Sequence, residues 1–350
     1  MRNQVTCFGV GTKTPRVYWR FSEITETGIG TDGAWYTAPI DASAASNIPP
    51  DSAITCFGLY GTKSRVYAIN AVGDVVETGW GGNNQWYSVD VGTPARAPRA
   101  AHGGAITCFG IDGKATRVYY FDEQGKVIEL GWGADDSWYA DPISETAGAP
   151  LAAPGSGITC FGAGGRATRL YYFDTSGQVV QIRRQNDQWQ SAPIGALTAS
   201  RPSGGGMAIT CFGVAGTVPR VYYFDADGNP IELGFGADGK WYSRVIPTYE
   251  LLAARDSGIA CLGVNGQATR LYYFAVDGSL VEVGWGSDNR WYAANLSASA
   301  GAPKSAGSVA CFAEGGTATR LYYLTSGPSL WEVRWVAGGW SVGLVYQCVQ

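Results

Sequence analysis

Apolar and β-branched residues recur along the chain in short runs, each broken by Gly, Asp, Asn or Ser, and the runs repeat with a period of about fifty residues. The third copy shows the unit most clearly. Ala105–Gly110, Thr116–Phe121, Lys126–Gly131 and Ser137–Ala140 are four β-forming segments, separated by turn residues at Asp112-Gly113, Asp122 to Gly125 and Ala134 to Asp136. Four such strands in sequence predict one antiparallel meander. A sheet of this kind has two apolar faces and buries both only by stacking on neighbours, so the repeats must close into a ring. Seven copies, at about 4–50, 51–101, 102–154, 155–204, 205–255, 256–305 and 306–350, predict an all-β, seven-bladed β-propeller in a single domain. The Ala-, Pro-, Ser- and Gly-rich segments between copies, such as Pro142 to Gly157 and Pro193 to Gly206, are expected to be ordered crossings from an outer strand back to the central channel. No helix is expected; the nearest candidate, Thr248 to Arg255, is short and uncapped.

Composition agrees with an all-β chain and narrows the partners. The chain holds 50 Gly and 16 Pro, and only 15% of its residues are charged while 13% are aromatic. Aromatic rings in that proportion must cap cores or meet a ligand. A net charge of −4 gives no basic footprint for nucleic acid or an anionic membrane. No apolar run is long enough to span a bilayer, and the start Met1 to Cys7 carries no signal core, so a cytoplasmic protein, or one exported without a classical signal peptide, is expected. Cys7, Cys56, Cys108, Cys160, Cys211, Cys261 and Cys311 hold one equivalent position per repeat, and Cys348 stands apart. Equivalent atoms of neighbouring blades lie too far apart for disulfides, and no paired Cys or His spacing suits a metal. Buried free thiols on an innermost strand are expected, with no metal and no cofactor.

Three recurring residue types stand out. Each copy has an Arg at the start of its second strand: Arg16, Arg65, Arg117, Arg169, Arg220, Arg270 and Arg320. A Glu follows on the third strand, as Glu26, Glu77, Glu129, Glu232, Glu282 and Glu332, with Gln181 in the fourth copy. The spacing is shorter at Glu26, where the hairpin turn is shorter, so the two side chains keep their cross-strand relation through a change of turn. Three residues after the Glu stand Trp80, Trp132, Phe235, Trp285 and Trp335. A fourth-strand Trp follows at Trp35, Trp86, Trp138, Trp189, Trp241, Trp291 and Trp340. A guanidinium fork, a carboxylate and indole faces suit a neutral sugar: the first two bond hydroxyls, and the ring covers an apolar C–H patch. The bland alternative is an Arg–Glu bridge between blades with the Trp residues as core.

The pattern Arg-Val-Tyr-Tyr, a turn, Ile-Glu-x-x-Trp and then Trp-Tyr resembles the fungal and bacterial fucose-binding propeller lectins of the Aleuria type, over the whole chain. The resemblance implies a sugar held between blades, with Arg and Glu from one blade and two aromatic residues from the next. Carried over, it gives four complete sets: Arg16 and Glu26 with Trp80 and Trp86; Arg65 and Glu77 with Trp132 and Trp138; Arg220 and Glu232 with Trp285 and Trp291; Arg270 and Glu282 with Trp335 and Trp340. Weaker sites follow at Arg117 and Glu129 facing Arg184 and Trp189, at Arg169 and Gln181 facing Phe235 and Trp241, and at Arg320 and Glu332 facing Ile29 and Trp35. The members with this pattern usually have six blades, so a related deoxysugar or methylated fucose is an alternative ligand. The implied partners are fucosylated glycans or glycoproteins, bound without catalysis.

Other classes fit less well. A glycosidase needs paired carboxyl groups with one acting as acid, the sialidase-type boxes are missing, and the single histidine, His102, lies in a Gly-rich connection. A protein-binding scaffold of the WD type would carry Trp-Asp endings, which are absent. Asp225 to Gly228 superficially matches a calcium loop, but its equivalents lack the second Asp and a hairpin turn is expected.

Overall fold

The computed structural model describes residues 4–21, 23–40, 47–203, 208–327 and 329–347. Met1 to Asn3, the end of the Pro193–Gly206 connection and Cys348 lie outside the described residues. Seven four-stranded antiparallel sheets follow one another, each with its strands in sequence order. In the third blade these are Ile106–Ile111, Ala115–Phe121, Val127–Trp132 and Trp138–Asp141, within a residue of the predicted runs. The first strands of successive blades pack together around the channel, and that of the seventh meets that of the first. The molecule is a seven-bladed β-propeller.

Burial of both faces is read most directly from the Tyr pair on each second strand. Consecutive residues of a strand point to opposite faces, so Tyr119 enters the core shared with the fourth blade and Tyr120 the core shared with the second. Both are fully buried. Tyr120 donates to the Pro98 carbonyl at 2.6 Å, which removes the cost of burying its hydroxyl. Seven hydrophobic clusters result, one at each blade interface, including the seam where Val5 and Trp19 of the first blade meet Leu324 and Tyr346 of the seventh. No strand is exchanged at this seam: the first and seventh sheets are each built from contiguous chain.

The inner hairpin turns add a ring of backbone hydrogen bonds. Gly11 donates to Gly61, Tyr60 to Gly113, Asp112 to Gly165, Gly164 to Gly216, Ala215 to Gly266, Asn265 to Gly316, and Gly315 to Thr12, all at 2.7–2.9 Å. Each blade is thus clipped to the next, and the circle closes. Below the ring, a Phe of one blade sets its ring edge against a Gly of the next. A methyl group on Gly58, Gly110, Gly162, Gly213, Gly263 or Gly9 would stand 2.6–2.8 Å from the facing ring carbon. At the remaining interface both partners differ: Leu262 replaces the Phe and Ala313 replaces the Gly, in one shared core. The volume moved from one side to the other, as close packing requires.

The seven described cysteines are free; each residue is partly exposed as a whole, while its thiol is withdrawn from water as expected. Five of them sit beside a Thr hydroxyl of the preceding blade, at 3.3–3.5 Å. Burial nevertheless pushes the thiols up, those of Cys56, Cys160 and Cys261 to about 12. They stay protonated and inert.

The expectation of no helix is corrected. One-turn helices occur at Ile143–Thr146, Ile194–Leu197 and Leu296–Ala300, inside the connections, while Thr248 to Arg255 has none. A single turn is too short to show helical periodicity. Each buries an apolar residue, Ile143, Ile194 or Leu296, against the blades. No described helix is long and apolar enough to cross a membrane. The Asp225 loop is a hairpin turn: Asp225 Oδ1 accepts from the Asp227 and Asn229 amides, and Oδ2 from Arg201.

In a Cys348→Ser variant, the native protein should leave a thiol reagent at pH 8 essentially unconsumed, with seven thiols appearing in denaturant. Rapid native reaction of several would contradict buried thiols. Leu262→Phe should destabilise by about 1–3 kcal/mol through overpacking. Adding Ala313→Gly should recover most of that in denaturant melts; simple additivity of the two would disprove the paired exchange.

Candidate functional site

Each candidate cleft begins with the pairing of the second and third strands. In the third blade Tyr119 faces Glu129 and Arg117 faces Gly131. Arg and Glu are therefore diagonal neighbours on one face, and the directly opposed partner of the Glu is a Tyr, which the spacing argument missed. The diagonal is within reach of long side chains. Arg Nε lies 3.5–3.9 Å from Glu Oε1 in the first, second, third, fifth and sixth blades.

Two tyrosines hold the carboxylate. Glu129 Oε2 accepts from Tyr119 at 2.6 Å and Oε1 from Tyr139 at 2.7 Å. Tyr139 follows the fourth-strand Trp138, and its ring carries the Arg117 guanidinium at 5.4 Å. The same clamp recurs with Tyr36, Tyr87, Tyr242 and Tyr292. Burial first, and then the neighbouring Glu129, raise the Tyr139 hydroxyl well above its ordinary value, so it remains a donor. Burial raises Glu282 above the usual carboxylate range against the hydrogen bonds of Tyr292 and Tyr272 and the charge of Arg270. Arg Nη1 is anchored too: in the second blade it donates to the Ser64 and Trp80 carbonyls at 2.9 and 3.2 Å. Among the described residues no acceptor bonds Arg65 Nη2, which leaves one edge of the fork for a ligand.

The clamp demands a glycine. A methyl group on Gly131 would stand 2.3 Å from Tyr139 Cζ. The five blades with the clamp Tyr all have this Gly, at Gly28, Gly79, Gly131, Gly234 and Gly284. The other two lose both together: Arg183 with Gln190, and Arg334 with Ser341. Where the clamp is lost, the Arg finds other company. Arg320 bonds Glu332 at 2.6 Å and Glu314 at 2.7 Å. Arg169 has Gln181 beside Tyr171 instead of a carboxylate; its buried Nε has no hydrogen-bond partner, and burial together with the nearby Arg183 lowers its pKa.

The aromatic residues reach these groups from the following blade. Trp86 packs edge-on against Tyr18 of the first blade, Trp138 against Tyr67, Trp241 against Tyr171, Trp340 against Tyr272, and Trp35 against Tyr322. Within its own blade each fourth-strand Trp faces the third-strand position across the hairpin, as Trp132 faces Trp138, with the rings 5.5 Å apart and nearly perpendicular. The earlier placement of Trp189 and Trp340 is absorbed by two-residue turns, Asn186-Asp187 and Ala337-Gly338, with both residues at positive φ. Arg184 still faces Trp189, and Trp335 still faces Trp340.

The fourth-strand Trp is thus inter-blade packing along one edge, while the third-strand ring is the more open surface. In the clearest case Arg65, Glu77 and Tyr87 of the second blade and Trp132 and Trp138 of the third line one cavity of about 370 Å³. At the cavity floor Glu77 is nearly buried, 7% exposed. At the first-to-second and sixth-to-seventh interfaces Trp86 and Trp340 pack against Tyr18 and Tyr272, the tyrosines that bond Glu26 and Glu282. In the third-to-fourth cleft Arg184 lies over Trp189 at 5.8 Å, at the position where four of the other blades have a Trp. In the fifth-to-sixth cleft all four expected residues are present, but Arg244 enters it, as described below.

This geometry can be set beside known proteins. The model of the fungal fucose-specific lectin family matches residues 4–199 and 61–262, more than half of the chain. The chain belongs to that family. Its fold is similar to that of BP39L lectin from Burkholderia pseudomallei, with a TM-score of 0.75 at 16% identity over 97% of each chain. AofleA from Arthrobotrys oligospora follows with a TM-score of 0.61 and 18% identity, over 84% of this chain and 86% of that one. The six-bladed Aleuria aurantia lectin gives 0.58 and 20%, over 85% of this chain and 96% of its own. The uncovered share is about one blade in seven. No curated protein sequence matches the chain.

Gly131→Ala should destabilise by about 1–3 kcal/mol, because the Tyr139 ring must leave its seat. In a Tyr139→Ser background the same change should cost far less. Equal costs in thermal or denaturant unfolding would show that the clamp does not explain the glycine.

Proposed function

We propose that this fucose-lectin-family member is a multivalent lectin that holds L-fucose, or the fucose of a glycan, in the clefts between successive blades and does not turn it over. The observation that carries this reading is the second-to-third cleft, where a free guanidinium edge, an ordered carboxylate and two indoles from the next blade line one cavity. In five of the clefts the acid is held by two Tyr hydroxyls and an Arg. It is an oriented acceptor; where a second carboxyl group stands opposite, as Asp141 does opposite Glu129, that group is engaged by Trp189 Nε1. A sugar hydroxyl entering there meets groups already fixed in place, so little entropy is lost on binding. Solved relatives support the choice of sugar: a single-residue mutant of Aleuria aurantia lectin has been seen with Fucα1-6GlcNAc and with α-methyl-L-fucoside.

Rigid presentation of several clefts on one ring gives avidity for dense glycans from individually modest sites. Calorimetric titration with L-fucose should show several sites, and Arg65→Ala should lower the stoichiometry by one while the melting temperature falls only slightly. No heat with L-fucose, or an unchanged stoichiometry in the variant, would count against this assignment.

A further inference from the structure

The clefts differ at one position that the recurring Arg, Glu and Trp do not include. Directly opposite each third-strand Glu, across the hairpin to the fourth strand, stands Ala38, Val89, Asp141, Arg244, Ala294 or Gly343, and Ala192 faces Gln181. Opposed residues of an antiparallel pair share a face of the sheet. This residue therefore sits on the cleft side of its own blade, beside the carboxylate and looking at the next blade. Asp141 shows the reach of the position: its Oδ2 accepts from Trp189 Nε1 of the fourth blade at 3.2 Å.

In five copies the residue is Ala, Gly or Val and leaves room. In the fifth blade it is Arg244. Its Nη2 donates to Glu232 Oε1 at 2.8 Å, closer than Arg220, whose Nε is 3.9 Å from the same oxygen. Its guanidinium lies 5.2 Å from the Trp285 ring centre and 5.3 Å from that of Trp291, both in the sixth blade, and 5.6 Å from Tyr242. It thus meets the acid and the two indoles that the family resemblance implies for a sugar. We propose that Arg244 is a built-in occupant that closes the fifth-to-sixth cleft to a neutral sugar, and that the residue opposite the Glu sets which clefts of the ring are open. The proposal rests on the lectin reading above. A cation within cation–π distance of two indoles and bonded to a carboxylate takes up the contacts a pyranose would need. A sugar entering there must displace it and leave Glu232 to be satisfied anew.

The test is a gain of binding. In a ring with the other intact clefts disabled, Arg16→Ala/Arg65→Ala/Arg270→Ala, calorimetry with L-fucose is compared before and after adding Arg244→Ala. One new site should appear, at least tenfold tighter than any residual binding, and a further Arg220→Ala should remove it. The wild-type ring is titrated in parallel. No binding there defeats the lectin reading itself. Binding there, with no site gained on Arg244→Ala, defeats only the closure. Closure is also overturned if the triply disabled ring with Arg244 intact binds L-fucose at a site that Arg220→Ala abolishes. The same holds if it binds a fucose sulfate that Arg244→Ala abolishes, since Arg244 would then read an anionic sugar.

Discussion

A carboxylate nearly buried between two sheets is the constraint on which the clefts depend. Left unpaired at 2% exposure, Glu129 would cost several kcal/mol. Two tyrosine hydroxyls and a guanidinium make it tolerable, and each brings its own requirements. Tyr119 reaches on to Thr168 of the fourth blade at 2.8 Å, so the acid is tied into the neighbouring sheet. Tyr139 needs the bare backbone of Gly131 beneath it and offers its ring to Arg117. The inner side of Tyr119 stacks on Phe109, whose edge in turn occupies the space above Gly162. Channel packing, blade spacing and the orientation of the cleft Arg are consequently one connected structure.

That connection explains why the repeats diverge in blocks. The fourth blade lost Glu, clamp Tyr and Gly together, as Gln181, Gln190 and Arg183. Removing the acid frees the Tyr from its partner, and losing the Tyr opens room above the glycine. The seventh blade kept Glu332 but lost the Tyr and Gly, and its carboxylate is compensated differently, by Arg320 at 2.6 Å and Arg334 at 3.8 Å. A ring whose inner turns are clipped edge to edge can accept such changes at its clefts, because closure is carried nearer the axis by backbone hydrogen bonds and the Phe–Gly contacts.

Much of this was legible in the chain. Period, strand runs and turn residues led to seven four-stranded blades, because strands buried on both faces show as short apolar runs broken by turn residues. The constant relation of Arg16 and Glu26 across a shortened turn was also readable. What the spacing did not reveal was which residue truly faces the acid: Arg and Glu share a face but differ by one pleat, and only register distinguishes Tyr119 from Arg117 as the opposed partner. The clamp had a signal, the joint presence of Gly131 and Trp138-Tyr139 and their joint loss elsewhere, but its meaning needs the ring seated over the backbone. One-turn helices such as Ile143–Thr146 leave no period to detect.

Arg244 is the sharpest case of information that exists in sequence and becomes physical only in three dimensions. Three residues past Trp241 it looks like a surface cation on an outer strand, and its chain neighbours give no reason to single it out. The antiparallel pairing puts it opposite Glu232, and the stacking of blades puts Trp285 and Trp291 in front of it. Repeat symmetry makes the comparison internal: Ala38 and Ala294 occupy the same place with no side chain to extend. A propeller built from near-copies therefore holds its own controls. Because the ring spaces its clefts rigidly, changing one small residue to Arg alters which positions on the circle are available for a branched glycan, without disturbing the closure that holds the remaining clefts in place.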